Sequence, residues 1–293
     1  MTYITLIMTM LFWGGTFIAG RSLAGSVQPA SAAFIRFAIA SVTLLLLARL
    51  IDGKISIPPR KIWLQLVILG LTGVFSYNMF FFTGLQYIEA GRASLIIALN
   101  PLAITLLGSL FFREQLTIRQ FIGILTSLAG ALLVISNGHP GQIFSGSFGL
   151  GELAILGCVG SWAIYSLVGR SVLVYLSPLA SVFYSSCIGT LLLFIPAFIQ
   201  GGIFSAPFYR GVDWLSLFFL GVFGTAAGFS LYYAAIKKIG PTRSGVFINL
   251  VPLFAIILSW LLLGESIKIQ VLSGGVLVLV GVSMTNFSMK KGK

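Results

Sequence analysis

Long apolar segments separated by short polar turns run along the whole chain. Ten of these segments approach the roughly 20 residues that a helix needs to cross the hydrocarbon core of a bilayer. They cover residues 3–24, 31–51, 62–83, 93–112, 118–136, 151–170, 178–200, 213–236, 243–263 and 268–288. Each is continuously apolar, whereas the strands of a membrane β-barrel alternate over about 10 residues. The pattern predicts an all-α integral membrane protein with ten transmembrane helices.

The composition excludes several other classes of protein. Of the 293 residues, 58% are hydrophobic and 8% are charged, and the mean hydropathy is +1.05. Soluble domains carry about 25% charged residues, so an ordinary soluble enzyme, a disordered chain and a nucleic-acid-binding protein are excluded despite the net charge of +12. Cys158 and Cys187 lie inside apolar segments, where cysteine is typically a packing residue. We therefore expect neither a metal site nor a cofactor.

The distribution of Lys and Arg predicts the orientation in the membrane, because cytoplasmic loops carry an excess of these residues. If the N-terminus is inside, the outer segments hold only Arg21, Arg92, Arg210 and Lys268. The inner segments then hold Arg49, Lys54, Arg60, Lys61, Arg113, Arg119, Arg170, Lys237, Lys238, Arg243, Lys290, Lys291 and Lys293. This predicts a multi-pass protein of the inner or plasma membrane with both termini cytoplasmic. The expected partners are the lipid bilayer and a small-molecule substrate, with the chain acting as a monomer or homodimer.

The chain also repeats itself. At an offset of 149 residues, Trp13 matches Trp162 and Pro29 matches Pro178; at an offset of 151, Pro101 matches Pro252 and Glu114 matches Glu265. These matches predict a first repeat over residues 1–137, a second over 150–289 and a connecting loop over 138–149. Because each repeat has five spans, the second enters the membrane inverted relative to the first. Inverted repeats of this kind are typical of secondary transporters.

Each repeat carries a proline inside a span, a glutamate at a helix end and a following glycine. These residues are Pro101, Glu114 and Gly123 in the first repeat, and Pro252, Glu265 and Gly274 in the second. Together with ten predicted spans, they resemble the EamA transporters of the drug/metabolite transporter superfamily. The resemblance implies a transporter in a family that exports amino acids and other metabolites. It does not specify the substrate.

Small residues recur in the fifth and tenth spans of the chain. Gly123 and Gly130 in the fifth span match Gly274 and Gly281 in the tenth. Glycine at a membrane helix surface lets two backbones approach closely. We therefore expect these two spans to pack tightly against neighbours.

Two tryptophans stand out by their depth in the membrane. Tryptophan is enriched at the membrane interface, but Trp13 and Trp162 fall near the middle of their spans and are mates in the repeat. They are either large packing residues or the aromatic walls of a central cavity with indole N–H groups free to bind a solute. We favour the cavity, because a polar donor at this depth needs a partner or water.

Further candidates for substrate binding share faces or spans with these tryptophans. Tyr165 lies three residues from Trp162, and Tyr77 and Phe81 are four apart and thus share a helix face. Asn78 and Tyr232 bring polar atoms to the third and eighth spans. Polar groups at depth seek the interior of a bundle, so we expect all five side chains near the cavity.

Pro101 and Pro252 interrupt the fourth and ninth spans. Each lacks the N–H that would pair with the carbonyl four residues earlier. The prolines either produce a packing kink or break the helix so that free carbonyls, with Asn100 and Asn249, line the site. Both effects can hold together.

The remaining charged candidates are one arginine and two glutamates. Arg36 is placed inside the second span, where it is expected either to bind a substrate carboxylate or to pair with Glu89 or Glu152. Because the resemblance implies that Arg36 belongs to the general pattern of the family, structural pairing is favoured. Glu114 and Glu265 are expected to be anchors or gate partners. No acidic residue is predicted near the bilayer midplane.

These features favour a transporter that works by alternating access on amino acids or other neutral or zwitterionic solutes, acting as an exporter. The alternatives are an exporter of cationic drugs, a membrane enzyme and a receptor. No nucleophile, metal or phosphate-binding motif supports an enzyme, and so no catalytic residue is predicted. The lack of a midplane carboxylate favours a facilitator or exchanger over a proton-driven pump.

Overall fold

The computed structural model describes residues 2–53, 56–112, 118–135, 149–266 and 269–287. Every long regular element in these ranges is helical. The helices are α1 (Thr2–Leu23), α2 (Pro29–Ile51), α3 (Arg60–Tyr87), α4 (Ala90–Ile97), α5 (Asn100–Phe112), α6 (Ile118–Ile135), α7 (Leu150–Val172), α8 (Pro178–Ile199), α9 (Gly211–Ile239), α10 (Pro241–Val246), α11 (Leu250–Leu263) and α12 (Ile269–Phe287). Glu114 and all but Gly149 of the predicted connecting loop lie outside the described residues.

The helices have the length and composition of membrane spans. Seven segments are long and apolar enough to cross a bilayer, and three shorter apolar helices cover Phe121–Gly130, Phe247–Leu263 and Leu272–Gly281. The predicted all-α class is confirmed for the part of the chain that the structure describes.

Several helices begin where the sequence supplies a start signal. Pro29, Pro178 and Pro241 each lie in the first turn of a helix, where a missing N–H has no partner to lose. The hydroxyl of Ser177 caps α8 by accepting a hydrogen bond from the N–H of Ala180 at 3.1 Å, as is favoured at this position.

Short turns join successive spans and collect at two ends of the bundle. At one end, the guanidinium of Arg92 pairs with the carboxylate of Glu152 at 2.8 Å. At the other end, the ammonium of Lys61 lies 4.2 Å from the centre of the Tyr175 ring. We call these the Glu152 end and the Lys61 end.

The order of elements in α1–α6 recurs in α7–α12. The long helices α3 and α9 each contain a π-helical segment, at Gly70–Ser76 and Leu220–Ala227. Gly70 packs on Ile188 of α8, and Gly221 packs on Ile39 of α2; a Cβ on either glycine would lie 2.7 Å from the isoleucine side chain. The π-helical segment of each repeat therefore lies tightly against the second helix of the other repeat.

The fourth and ninth predicted spans are both interrupted just before their prolines. Helix α4 ends at Ile97 and α5 begins at Asn100, while α10 is followed by a 3₁₀ turn, Phe247–Asn249, and then α11. Pro101 and Pro252 stand in the first turns of α5 and α11, so both spans consist of two helices. Irregular backbone at this depth is tolerated where it is buried in protein or lines a cavity.

The predicted close packing of the fifth and tenth spans is confirmed for α6 and α12. A Cβ on Gly130 would lie 2.6 Å from the carbonyl oxygen of Gly274. The hydroxyl of Ser127 also donates to the carbonyl of Val278 at 3.1 Å. These contacts hold α6 and α12 together as a pair beside the broken helices.

Candidate functional site

A small cavity lies at the centre of the bundle, where α1, α2, α3, α7 and α9 meet the two interrupted spans. It is lined by Trp13, Thr16, Phe17, Arg36, Tyr77, Phe81, Ile97, Asn100, Trp162, Phe229, Ile248 and Val251. Its free volume is about 30 Å³, which is room for about two water molecules. A solute the size of an amino acid can enter only when these walls move apart.

Six of the ten residues predicted to bind substrate line this cavity, namely Trp13, Arg36, Tyr77, Phe81, Asn100 and Trp162. The other four lie directly behind it. Asn78 bonds to Arg36, the rings of Tyr165 and Tyr232 lie 5.2 and 5.7 Å from the ring of Trp162, and Asn249 follows the cavity residue Ile248. The fold thus brings all ten candidates to one place.

The two central tryptophans touch each other but differ in their hydrogen bonding. Their rings meet edge to face with centroids 5.2 Å apart, a favourable aromatic geometry. The indole N–H of Trp13 donates to the carbonyl of Gly224 at 3.0 Å. The N–H of Trp162 is buried and has no hydrogen-bond partner among the described residues.

The two matching glycines have different neighbours. Gly224 lies in the π-helical segment of α9, and the small side chain of Thr16 lies against it. Gly73 of α3 matches Gly224 in the repeat, and the ring of Tyr165, which matches Thr16, lies against Gly73. The backbone to which Trp13 bonds in one repeat is thus covered by a bulky ring in the other.

A glycine also makes room for Trp13. A Cβ on Gly228 would lie 2.6 Å from Nε1 of the Trp13 indole, which is too close for any other residue without a shift. The close approach of α1 to α9 therefore depends on this glycine.

Among the described residues that line the cavity, Arg36 alone is charged, and it is 3% exposed. Its Nε donates to the hydroxyl of Thr225 at 2.9 Å, and its Nη1 donates to Oδ1 of Asn78 at 2.9 Å. Asn78 is held in turn by its own bond to the carbonyl of Val74 at 2.8 Å. Neutral side chains thus orient the guanidinium and leave its charge uncompensated by any carboxylate in the described ranges.

The expected alternative that Arg36 pairs with Glu89 or Glu152 is wrong. The carboxylate of Glu152 pairs with Arg92, and Glu89 is exposed at the start of α4 while Arg36 is buried. Arg92 of α4 takes the place that was expected for Arg36.

Several residues of the site were not predicted from the sequence. Thr16 and Phe17 follow Trp13 by three and four residues, so the helical period alone indicated that they share its face. Phe229 matches Asn78 at the repeat offset of 151, and comparing the repeats would have indicated it. Thr225 carried no such signal, because its mate Val74 is apolar and the π-helical segment shifts the face of α9.

The Glu152 end is closed by two polar contacts around the start of α4. The carboxylate of Glu265 accepts hydrogen bonds from the N–H groups of Ala90 and Gly91 at 3.1 and 3.2 Å. A carboxylate at a helix N-terminus is stabilised by the helix dipole. The ion pair of Arg92 with Glu152 holds the same turn to α7, so the start of α4 is tied to the second repeat twice.

The described residues contain no group of three His, Cys, Asp or Glu side chains placed to hold a metal ion. The site is therefore built from aromatic rings, amides, hydroxyls and one guanidinium.

Comparison with known proteins gives a family and several relatives. The sequence profile of the EamA-like transporter family matches residues 1–136 and 149–287. A Bacillus subtilis (strain 168) protein named uncharacterized transporter YyaM is 31% identical over 96% of this chain and 92% of its own length. An uncharacterized transporter of Archaeoglobus fulgidus is 28% identical over 97% of this chain and 96% of its own.

Two further similarities bear on substrate and fold. A Streptantibioticus cattleyicolor protein named "Probable terminal-alkyne amino-acid exporter" is 28% identical over 96% of this chain and 92% of its own length. A solved crystal structure aligns with a TM-score of 0.69 at 20% identity, over 99% of both chains. At that identity the similarity shows the fold alone.

Proposed function

Because the chain belongs to the EamA-like transporter family, whose members are multi-pass membrane transporters, we propose that it carries small zwitterionic or neutral metabolites, most of all amino acids, by alternating access. The observation that carries this proposal is the buried guanidinium of Arg36, which faces the cavity and has only neutral partners. A buried charge is costly unless it is paired. The carboxylate of a solute supplies the missing partner.

The aromatic lining suits the other half of a zwitterion. The rings of Tyr77 and Trp162 lie 5.4 Å apart on the cavity wall, and aromatic faces attract an ammonium group. The free N–H of Trp162 and the unpaired Oδ1 of Asn100 offer a donor and an acceptor. The relative named as an amino-acid exporter supports the same substrate class.

We propose ten spans in two inverted repeats, with both termini cytoplasmic. Seven long apolar helices and three shorter ones support the number of spans, and the excess of Lys and Arg supports the orientation. In this orientation the Lys61 end is cytoplasmic and the Glu152 end is external. Each chain contains both repeats, so we propose that one chain forms a complete path, in a monomer or a homodimer.

Alternating access requires the walls of the cavity to separate toward one end at a time. Opening toward the Glu152 end must release Glu265 from the start of α4 and separate Arg92 from Glu152. The interruptions before Pro101 and Pro252 are points where the half-helices can tilt. We expect export to begin with solute binding from the Lys61 end.

An exporter of cationic drugs fits the site less well. The only charge in the cavity lining is positive, and a buried cation repels a cationic solute. Both carboxylates that lie buried in the described helices, Glu152 and Asp213, are ion-paired near the Glu152 end. An enzyme or a receptor is not supported by any feature of the site, and transport requires neither cofactor nor metal.

The substrate assignment can be tested with purified protein in proteoliposomes. We expect exchange of a radiolabelled neutral L-amino acid, such as leucine, to be inhibited by a panel of amino acids but not by their carboxamides. The reason is that an amide keeps the ammonium group and the side chain but cannot pair with Arg36. Equal inhibition by acids and amides would contradict the role of the carboxylate, and absence of exchange with all amino acids would contradict the substrate class.

A further inference from the structure

Four matched pairs of residues differ in the same way between the two repeats. Written with the first repeat first, the pairs are Phe17 and Ser166, Phe81 and Tyr232, Ala93 and Ser244, and Ala98 and Asn249. In each pair the residue of the first repeat is apolar and that of the second repeat is polar. We call them the apolar set and the polar set.

The two sets lie on opposite sides of the central cavity. Ser166 and Tyr232 are in the last two turns of α7 and α9, which end at the Lys61 end, and Ser244 is in α10, which begins there. Because the repeats are inverted, the apolar set occupies the matching places toward the Glu152 end. Asn249 and its mate Ala98 stand in the two helix breaks beside the cavity.

The apolar set forms a packed contact. The rings of Phe17 and Phe81 meet edge to face with centroids 5.2 Å apart, and both are buried. Ala93 and Ala98 are completely buried at the same side of the cavity. Separating these groups exposes apolar surface to water, which is unfavourable.

In the polar set, Ser166, Tyr232 and Ser244 are completely buried and Asn249 is partly buried. The hydroxyls of Ser166, Tyr232 and Ser244 and Oδ1 of Asn249 make no hydrogen bond among the described residues. The Tyr232 hydroxyl lies beside the Ser166 side chain and the Trp162 indole, and 3.9 Å from the place of a Cβ on Gly245, the residue after Ser244. The hydroxyls of Tyr232 and Ser166 are therefore neighbours, but their geometry does not meet that of a hydrogen bond. Buried polar groups of this kind bind water or a polar ligand.

We propose that Ser166, Tyr232, Ser244 and Asn249 form a hydrogen-bonding site for water and small polar solutes on the path between the central cavity and the Lys61 end. The path to the Lys61 end opens more readily than the path to the Glu152 end, because its polar groups gain hydrogen bonds when it opens. The apolar set loses contacts when it separates. The inference uses the proposed transport function only to make this path the cytoplasmic entrance for solute.

The sharpest test compares two small residues that are mates in the repeat. Ser244→Cys and Ala93→Cys are made in a chain whose own cysteines are replaced, Cys158→Ala and Cys187→Ala. The detergent-solubilised protein is treated with a small neutral polar thiol reagent, 2-hydroxyethyl methanethiosulfonate, which reaches both ends. We expect the cysteine at position 244 to react at least about tenfold faster than the cysteine at position 93. This factor corresponds to the free energy of one buried polar group that is unpaired while the path is closed.

Equal rates, or faster reaction at position 93, would overturn the proposal. If Ala93→Cys does not fold, Asn249→Cys and Ala98→Cys give the same comparison beside the helix breaks. No transported solute is present in the labelling reaction, so failure of amino-acid exchange leaves this result unaffected. The inferred site and the proposed substrate class can thus fail separately.

Discussion

Trp13 and Trp162 occupy matching places in the two repeats and share one edge-to-face contact at the centre of the molecule, yet only one of them is tied to the backbone. The N–H of Trp13 is used by the carbonyl of Gly224, and the N–H of Trp162 is unused. Matching tryptophans of the two repeats therefore differ in their hydrogen bonding. We interpret Trp13 as a residue that stabilises the packing of α1 on α9, and Trp162 as the donor available to a solute.

The charged part of the site is even less symmetric. Arg36 of the first repeat matches Ser185 of the second, and Asn78 matches Phe229. The guanidinium is nevertheless held by both repeats, because Thr225 comes from the second. In the proposed transporter the two repeats open in opposite directions, and the proposed binding site uses a single guanidinium between them.

The largest effect is expected from removing that charge. Arg36→Gln should lower amino-acid exchange in proteoliposomes by about 100-fold, since losing one partner of a buried charge pair costs several kcal/mol. The matched control is Arg49→Gln, which removes an exposed arginine and should leave exchange near the wild-type rate. Unchanged exchange in a folded Arg36→Gln variant would show that Arg36 does not pair with the solute.

An intermediate effect is expected from separating the two tryptophans. Trp162→Phe should lower exchange by about tenfold, the value of one hydrogen bond to the solute, with little change in melting temperature. Trp13→Phe removes the donor to the buried Gly224 carbonyl and should cost about 1 kcal/mol of stability, measured as a melting temperature lower by about 2–4 °C.

The two variants act as controls for each other. If both variants lose the same amount of stability and the same fraction of exchange activity, the tryptophans are equivalent packing residues. The distinction between a structural hydrogen bond at Trp13 and a free donor at Trp162 is then wrong. A normal exchange rate in both would also remove them from the solute site.

The smallest effect is expected from a proton gradient. None of the described residues that line the cavity is a carboxylate, so a pH gradient without a solute gradient should drive no sustained accumulation in proteoliposomes. Glu152→Gln should not alter this result, because Glu152 serves the ion pair with Arg92 near the Glu152 end. Uphill accumulation that disappears in Glu152→Gln would instead make the closure at that end a proton-coupled gate.

Much of the fold was predictable because each span can be recognised from its own residues. A membrane helix satisfies its backbone internally, so apolar length and the positions of glycine suffice to predict the helices and the close packing of α6 and α12. The breaks before Pro101 and Pro252 were one of two alternatives that the sequence left open. The candidate residues around the cavity followed from depth and helical period, since both tryptophans and Tyr77 needed only to be counted along their spans. The repeat offsets paired Trp13 with Trp162 before their contact was known.

Partner choice was not predictable from spacing. Counting residues along the spans places Arg92 and Arg36 at similar depths to Glu152. The packing of α4 against α7 brings Arg92 to the Glu152 carboxylate. Thr225 accepts a hydrogen bond from Arg36 and lies in a π-helical segment. Such a segment rotates the following side chains around the helix axis, and the sequence pattern does not show this irregularity.

The sequence by itself determined the class of the protein, its repeats and the set of residues at depth, because apolar length and periodicity are local properties of the chain. Only the tertiary structure decided which of two matched residues is bonded and which is free. The two matching glycines carry neighbours of different volume, Thr16 at Gly224 and Tyr165 at Gly73. Distances between side chains from different helices follow from packing, and packing joins residues that lie far apart along the chain.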